Sequence, residues 1–156
     1  MTNYIDGTYY SDSLYGTYGN DSMWGYDGND YLYGDYGNDD LLGGYGDDYL
    51  DGGGSSDELD YLTGGSGSDT FVIGDSTGVG YLESVDDGYD ISYAVITDFS
   101  AADDFIQVYG DASYSFGYAD SYGDSRLDTE IYAGNDLIAI VQDTTDVDMY
   151  RDFLYA

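Results

Sequence analysis

Seven carboxylates carry the chemistry that this chain's residues allow. Asp12, Asp21, Asp30, Asp39, Asp48 and Asp57 recur every nine residues, and Asp69 resumes the series after a slip of three. Most of them follow a glycine and a small polar residue. Aspartate is short, favours turns, and carries two hard oxygens close to the backbone. Two stacked carboxylates ~4 Å apart repel by about 4 kcal/mol at an effective dielectric of 20. A divalent cation between them turns that repulsion into attraction. A soft cage of six or so oxygens suits Ca²⁺ better than Mg²⁺, which keeps its waters. The chain has no His and no Cys, which argues against zinc.

The frame around each acid is equally regular. Two residues beyond the acid lies an apolar residue: Ile5 (after Asn3), Leu14, Met23, Leu32, Leu41, Leu50 and Leu59. Two further on stand Gly7, Gly16, Gly25, Gly34, Gly43 and Gly52, and a second glycine column holds Gly19, Gly28, Gly37 and Gly46. A nine-residue period is not helical, and two glycines per unit would melt a helix. Each unit reads as a six-residue turn and a strand of about three residues, whose middle side chain faces inward. Two units make a coil of 18 residues, with successive strands alternating between two parallel sheets. The expected fold is all-β: a parallel β-roll, or two-sheet solenoid, over residues 1–73.

Stacking then lines Asp12, Asp30 and Asp48 along one edge and Asp21, Asp39 and Asp57 along the other. Backbone carbonyls of Gly16, Gly19, Gly25, Gly28, Gly34, Gly37, Gly43 and Gly46 are the expected additional ligands, giving several bound Ca²⁺ ions. The register slip is expected at 60–63, where it would break the stacking of Asp48 on Asp69. Asp87 and Asp90 have no support from spacing.

The bulk numbers agree with a cation as partner. The chain has 156 residues and a net charge of -31, with Arg126 and Arg151 its only bases. Nucleic acid and anionic membrane would be repelled. All 33 acids are Asp except Glu58, Glu83 and Glu130, a bias that solubility alone does not require. Low hydrophobicity with high charge usually signals disorder, but 18% aromatics and a strict period oppose it here. Without His, Cys or Lys there is no catalytic triad, zincin motif or Schiff base, so no enzyme is expected. No basic segment precedes an apolar run, so no Sec-type leader is expected. The longest aliphatic run, 137–141, is far too short to span a membrane as a helix.

The repeat motif G-G-x-G-x-D-x-(apolar)-x is similar to that of the RTX proteins, secreted calcium-binding β-roll repeats. "GGYGDDYLD" (43–51) and "GGSGSDTFV" (64–72) match it in full. Residues 74–156 lose the period but keep apolar runs at 93–99, 104–110, 129–134 and 136–143, which predict strands of an antiparallel β cap. This half resembles the C-terminal segment of cyanobacterial RTX proteins. Its tail "RDFLYA" looks like the end of type I secretion substrates, or equally like cap packing. The resemblance implies export, folding outside the cell, and an extracellular or cell-surface location.

The 22 tyrosines exceed what a thin core can hold. Tyr15, Tyr31, Tyr33 and Tyr49 are expected on the outer face of one sheet, Trp24 on the other, and Tyr18 and Tyr36 in turns. They read either as good strand formers or as an interface. The expected function is a secreted calcium-binding structural protein that self-assembles into a homo-oligomer or polymer, such as a filament, sheath or surface layer. The alternative is a monomeric calcium-dependent adhesion module. Ice binding stands third.

Overall fold

A computed structural model describes residues 1–53, 58–75, 78–81 and 92–156. It contains two main sheets. The first has the spatial order β1 (Asn3–Asp6), β3 (Asp21–Asp27), β5 (Asp40–Tyr45), β7 (Leu59–Ser66), β11 (Tyr93–Ile96), β15 (Asp136–Val141), β14 (Asp128–Ala133), β13 (Tyr114–Ala119). The second runs β2 (Ser13–Tyr15), β4 (Tyr31–Tyr33), β6 (Tyr49–Asp51), β8 (Thr70–Val72), β12 (Phe105–Val108), β16 (Phe153–Tyr155). A small antiparallel pair, β9 (Gly74–Asp75) and β10 (Gly78–Val79), lies beside them.

Odd strands of the repeat enter one sheet and even strands the other, as the period requires. Ile5 sits beside Met23, and Met23 beside Leu41; Leu14 sits beside Leu32, and Leu32 beside Leu50. The inward column Met23, Leu32, Leu41, Leu50, Leu62 and Phe71 is fully buried. Ile5 and Leu14, on the terminal strands β1 and β2, are only half-buried.

The register slip falls earlier than expected. Leu41 pairs with Leu62, and Leu50 with Phe71, so the extra residues are accommodated before Leu59 and not after it. Leu62 fills the core column; Leu59 is only half-buried.

The second half builds onto the same two sheets. β11 pairs in parallel with both β7 and β15, and β12 with both β8 and β16. The antiparallel cap is seen in part, as the hairpin-like series β13–β14–β15 at the end of the first sheet. The predicted runs become β11, β12, β14 and β15, and β13 was not anticipated. The tail forms β16, with Phe153 buried against Tyr114 and Phe116. Arg151 pairs with Asp152 and Asp146, and Arg126 with Asp143.

Truncating the middle of the ladder should cost more than truncating its open end. Leu41→Ala is expected to lose about 2–5 kcal/mol and Leu14→Ala markedly less, read from urea unfolding at saturating calcium.

Candidate metal centre

Each turn ends on an aspartate whose Oδ1 reaches back one coil. Along one edge, the Asp12 N–H donates to Asp30 (2.7 Å), Asp30 to Asp48 (2.8 Å), Asp48 to Asp69 (2.9 Å) and Asp69 to Asp104 (3.0 Å). Along the other, Asp21 donates to Asp39 (2.8 Å) and Asp39 to Asp60 (2.8 Å). Asn3 opens this second row by donating its side-chain amide to Asp21 at 2.7 Å. The two expected rows exist, with two corrections. Asp57 lies outside the described residues, as do Asp87 and Asp90, and Asp60 holds the place expected for Asp57. Asp48 does stack on Asp69, because the inserted residues are absorbed before β7.

The second oxygen, Oδ2, divides the row aspartates other than Asp69 into two groups. In one group a protein donor satisfies it. The backbone N–H four residues earlier does so for Asp12 (Thr8, 2.7 Å), Asp21 (Thr17, 2.6 Å) and Asp104 (Ser100, 2.8 Å). Asp60 Oδ2 accepts from the buried hydroxyl of Tyr81 at 2.6 Å. In the other group, Asp30, Asp39 and Asp48, Oδ2 is buried with no hydrogen-bond partner.

The difference lies in the backbone. Four residues before these three stand Tyr26, Asp35 and Gly44, with φ of 77°, 76° and 118°. This left-handed conformation replaces the turn in which Thr8 or Thr17 closes on its own aspartate. A buried carboxylate oxygen without a donor is expensive, and a cation is one of the few partners able to satisfy it.

The glycines make room for such a partner. A Cβ on Gly25, Gly34 or Gly43 would clash with Oδ2 of Asp30, Asp39 or Asp48 respectively. The same Cβ would lie 2.5, 2.6 or 2.7 Å from the carbonyl oxygen of Gly43, Gly52 or Gly64, one coil on. Carboxylate and carbonyl oxygens therefore face one bare space. Gly16 lies in the same way against Asp21 Oδ2 and the Gly34 carbonyl. Gly28, Gly37 and Gly46 instead stack on turns a coil earlier, and Gly19 meets nothing. Among the described residues no three acids converge on one point. A cation here would take a carboxylate together with backbone carbonyls, a donor set of hard oxygens that fits calcium.

Burial pushes these carboxyls up. Asp39 rises to about 8, Asp48 and Asp60 to about 7, and Asp69 to about 6; Asp30 and Asp104 are raised as well. In each case loss of solvation is the largest cause, opposed by donors such as the backbone N–H a coil earlier and reinforced by neighbouring acids.

Sequence reasoning missed Asp60, Asp104, Tyr81 and the threonine closures. It also missed Asp98, whose carboxylate takes the N–H groups of Gly64 (2.9 Å) and Gly65 (2.8 Å). One signal for Asp60 was present: glycine follows Leu62 by two residues, as in every earlier unit, whereas Tyr61 follows Leu59.

The expected aromatic positions are outward. Tyr31 and Tyr49 stack at 5.2 Å and 11°, with Tyr15 6.0 Å from Tyr31 and Tyr33 beside them on the same strand face. Tyr18 and Tyr36 meet at 5.5 Å in the turns, and Trp24 stands half-exposed on the first sheet.

A parallel β-roll with rows of inward-turned carboxylates over bare glycines defines the class of this chain's repeat segment. The model of the RTX calcium-binding nonapeptide repeat (4 copies) matches that segment three times, at residues 6–41, 33–71 and 58–75. No curated protein matches the chain. Among the solved structures that resemble it are two solution structures of subunits of the Azotobacter vinelandii mannuronan C5-epimerase. AlgE6R3 is 25% identical, with 96% of this chain and 81% of that one covered and a TM-score of 0.35. AlgE6R2 is 24% identical, with 97% and 92% covered and a TM-score of 0.33.

The raised carboxyls set a pH dependence for the metal-free protein. Its folded state holds more protons than the unfolded chain between about pH 4 and pH 8. Their stabilisation is complete below the ordinary carboxylate value and is lost as pH rises through 6 to 8. In chelator, circular dichroism should show more β structure, and a higher melting temperature, at pH 5 than at pH 8.

Proposed function

We propose that the chain is an extracellular structural protein that folds when calcium fills the row sites, and that folded copies then associate through the tyrosine-bearing face of the second sheet. The observation that carries the calcium step is the set of buried, donor-free Oδ2 atoms of Asp30, Asp39 and Asp48. Calcium supplies there the positive charge that no side chain of the repeat provides, since both arginines lie in the second half. Asp12 and Asp21 hold their turns closed with protein donors and are the weaker sites. The match of the repeat segment to a calcium-binding repeat model supports the same metal.

The assembly step rests on the outer aromatic surface. Tyr15 is 63% exposed at the end of the Tyr31–Tyr49 stack, and Tyr18 is 84% exposed in its turn. Aromatics so placed are enriched at contact surfaces. At a net charge of -31, copies repel until bound cations reduce that charge. Export by a type I route, with the β16 segment as its signal, would deliver the chain to a calcium-rich medium.

Calcium titration followed by circular dichroism should show β structure appearing at ~10⁻⁴ to 10⁻³ M, the range of extracellular modules. Light scattering should then rise and fall back with EGTA. Full order in chelator at pH 8 would refute the calcium step. A stable 17.0 kDa species in saturating calcium would refute assembly and leave a monomeric module.

The two groups of aspartates should separate in the same titration. Asp39→Asn is expected to raise the calcium midpoint about tenfold, the loss of one charged ligand-ion contact. Asp12→Asn should move it much less.

A further inference from the structure

The outer face of the first sheet carries a second feature, separate from the rows. Trp24, Tyr26 and Asp27 on β3 and Leu42, Gly44 and Tyr45 on β5 line a groove of about 260 Å³. The register explains its shape. Trp24 faces Leu42, Asp27 faces Tyr45, and Tyr26 faces Gly44, which has no side chain to fill the gap. In the next strand the corresponding position is again a glycine, Gly65. The indole and the Tyr26 ring meet edge to face at 6.1 Å and 79°, forming a corner. Tyr9 extends the wall, 6.2 Å from Tyr26.

Tyr26 occupies a position that the next two coils give to glycine. Its φ of 77° belongs to the left-handed region, where Gly44 and Gly65 sit at 118° and 102°. A tyrosine there is strained, and glycine would serve the fold better. The ring is 39% exposed and lies outside the core, with its hydroxyl donating to Asp6 at 3.4 Å.

We propose that this groove binds a small alkylammonium cation, with the Trp24 and Tyr26 rings as walls, Tyr45 at the rim and the Asp27 carboxylate as counter-charge. Aromatic faces attract cations, and a large, weakly hydrated ammonium loses little solvation against an apolar floor such as Leu42. A hard ion such as Ca²⁺ prefers the oxygen-lined turns. Charge complementarity points the same way: Asp27 stands at the groove, Asp6 meets the Tyr26 hydroxyl, the repeat has no base, and the whole molecule is strongly anionic. The site needs the folded sheet but neither assembly nor a particular ion count.

Trp24 is the chain's one tryptophan and reports on its own site. With calcium saturating, choline should change Trp24 fluorescence saturably. Its neutral isostere 3,3-dimethylbutan-1-ol, a neutral disaccharide and matched NaCl should not. Tyr26→Gly keeps the net charge and the column's preferred residue, and should weaken choline binding about tenfold, the loss of one aromatic wall. Tyr45→Ser, which copies Ser66 in the next coil, should weaken it less. Circular dichroism checks that both variants fold, so that failure of calcium folding is told apart from failure of the groove. Equal response to the isostere, to sugar or to NaCl would overturn the proposal, as would unchanged binding in folded Tyr26→Gly.

Discussion

A carboxylate taken out of water needs partners for both oxygens, and this roll supplies only one of them at its central turns. Oδ1 is fixed by an amide one coil earlier, and that contact sets the spacing of the coils along both edges. Oδ2 is held away from solvent beside a glycine with no side chain. The apolar ladder cannot compensate, because each coil contributes about one buried side chain per strand. The fold is therefore a frame around an electrostatic deficit, and the repeat's preference for Asp and Gly follows from that. Glu would reach too far, and any Cβ would occupy the space left for the cation.

Where the protein satisfies Oδ2 itself, the deficit disappears. Thr8 and Thr17 do this at the start of the roll, Ser100 near its far end, and Tyr81 on the second edge. The stretch of donor-free carboxylates is thus bracketed by turns that close on protein donors. Tyr81 is the clearest case, since its hydroxyl stands against Gly52 and Asp60 in the manner that open space stands against Gly25 and Asp30.

Much of this was legible in the sequence because a short period leaves few options. Nine residues with one inward position fixes strand length, sheet alternation and the two rows. The place of the insertion was not, because "DELDYL" offers Asp-x-Leu in two frames three residues apart. Period alone favours Leu59, and the glycine two residues after Leu62 favours the frame the structure adopts. The open and closed carboxylates were invisible for another reason. They differ by a backbone φ four residues upstream, and Tyr26 and Asp35 do not advertise a left-handed conformation as glycine does. In the second half the coils continue, but Leu62 is followed by Ile96 and Asp69 by Asp104. Connections of that length erase the repeat while preserving the parallel pairing.

The direction of the Oδ1 contacts gives the molecule a polarity. Each acid fastens the amide of the coil before it, so every rung hangs from the one that follows in sequence. The layer at one end of this series, Ile106 and Phe153, is buried, whereas Ile5 and Leu14 at the other are only half-covered, so the open end is where opening sacrifices the least apolar burial.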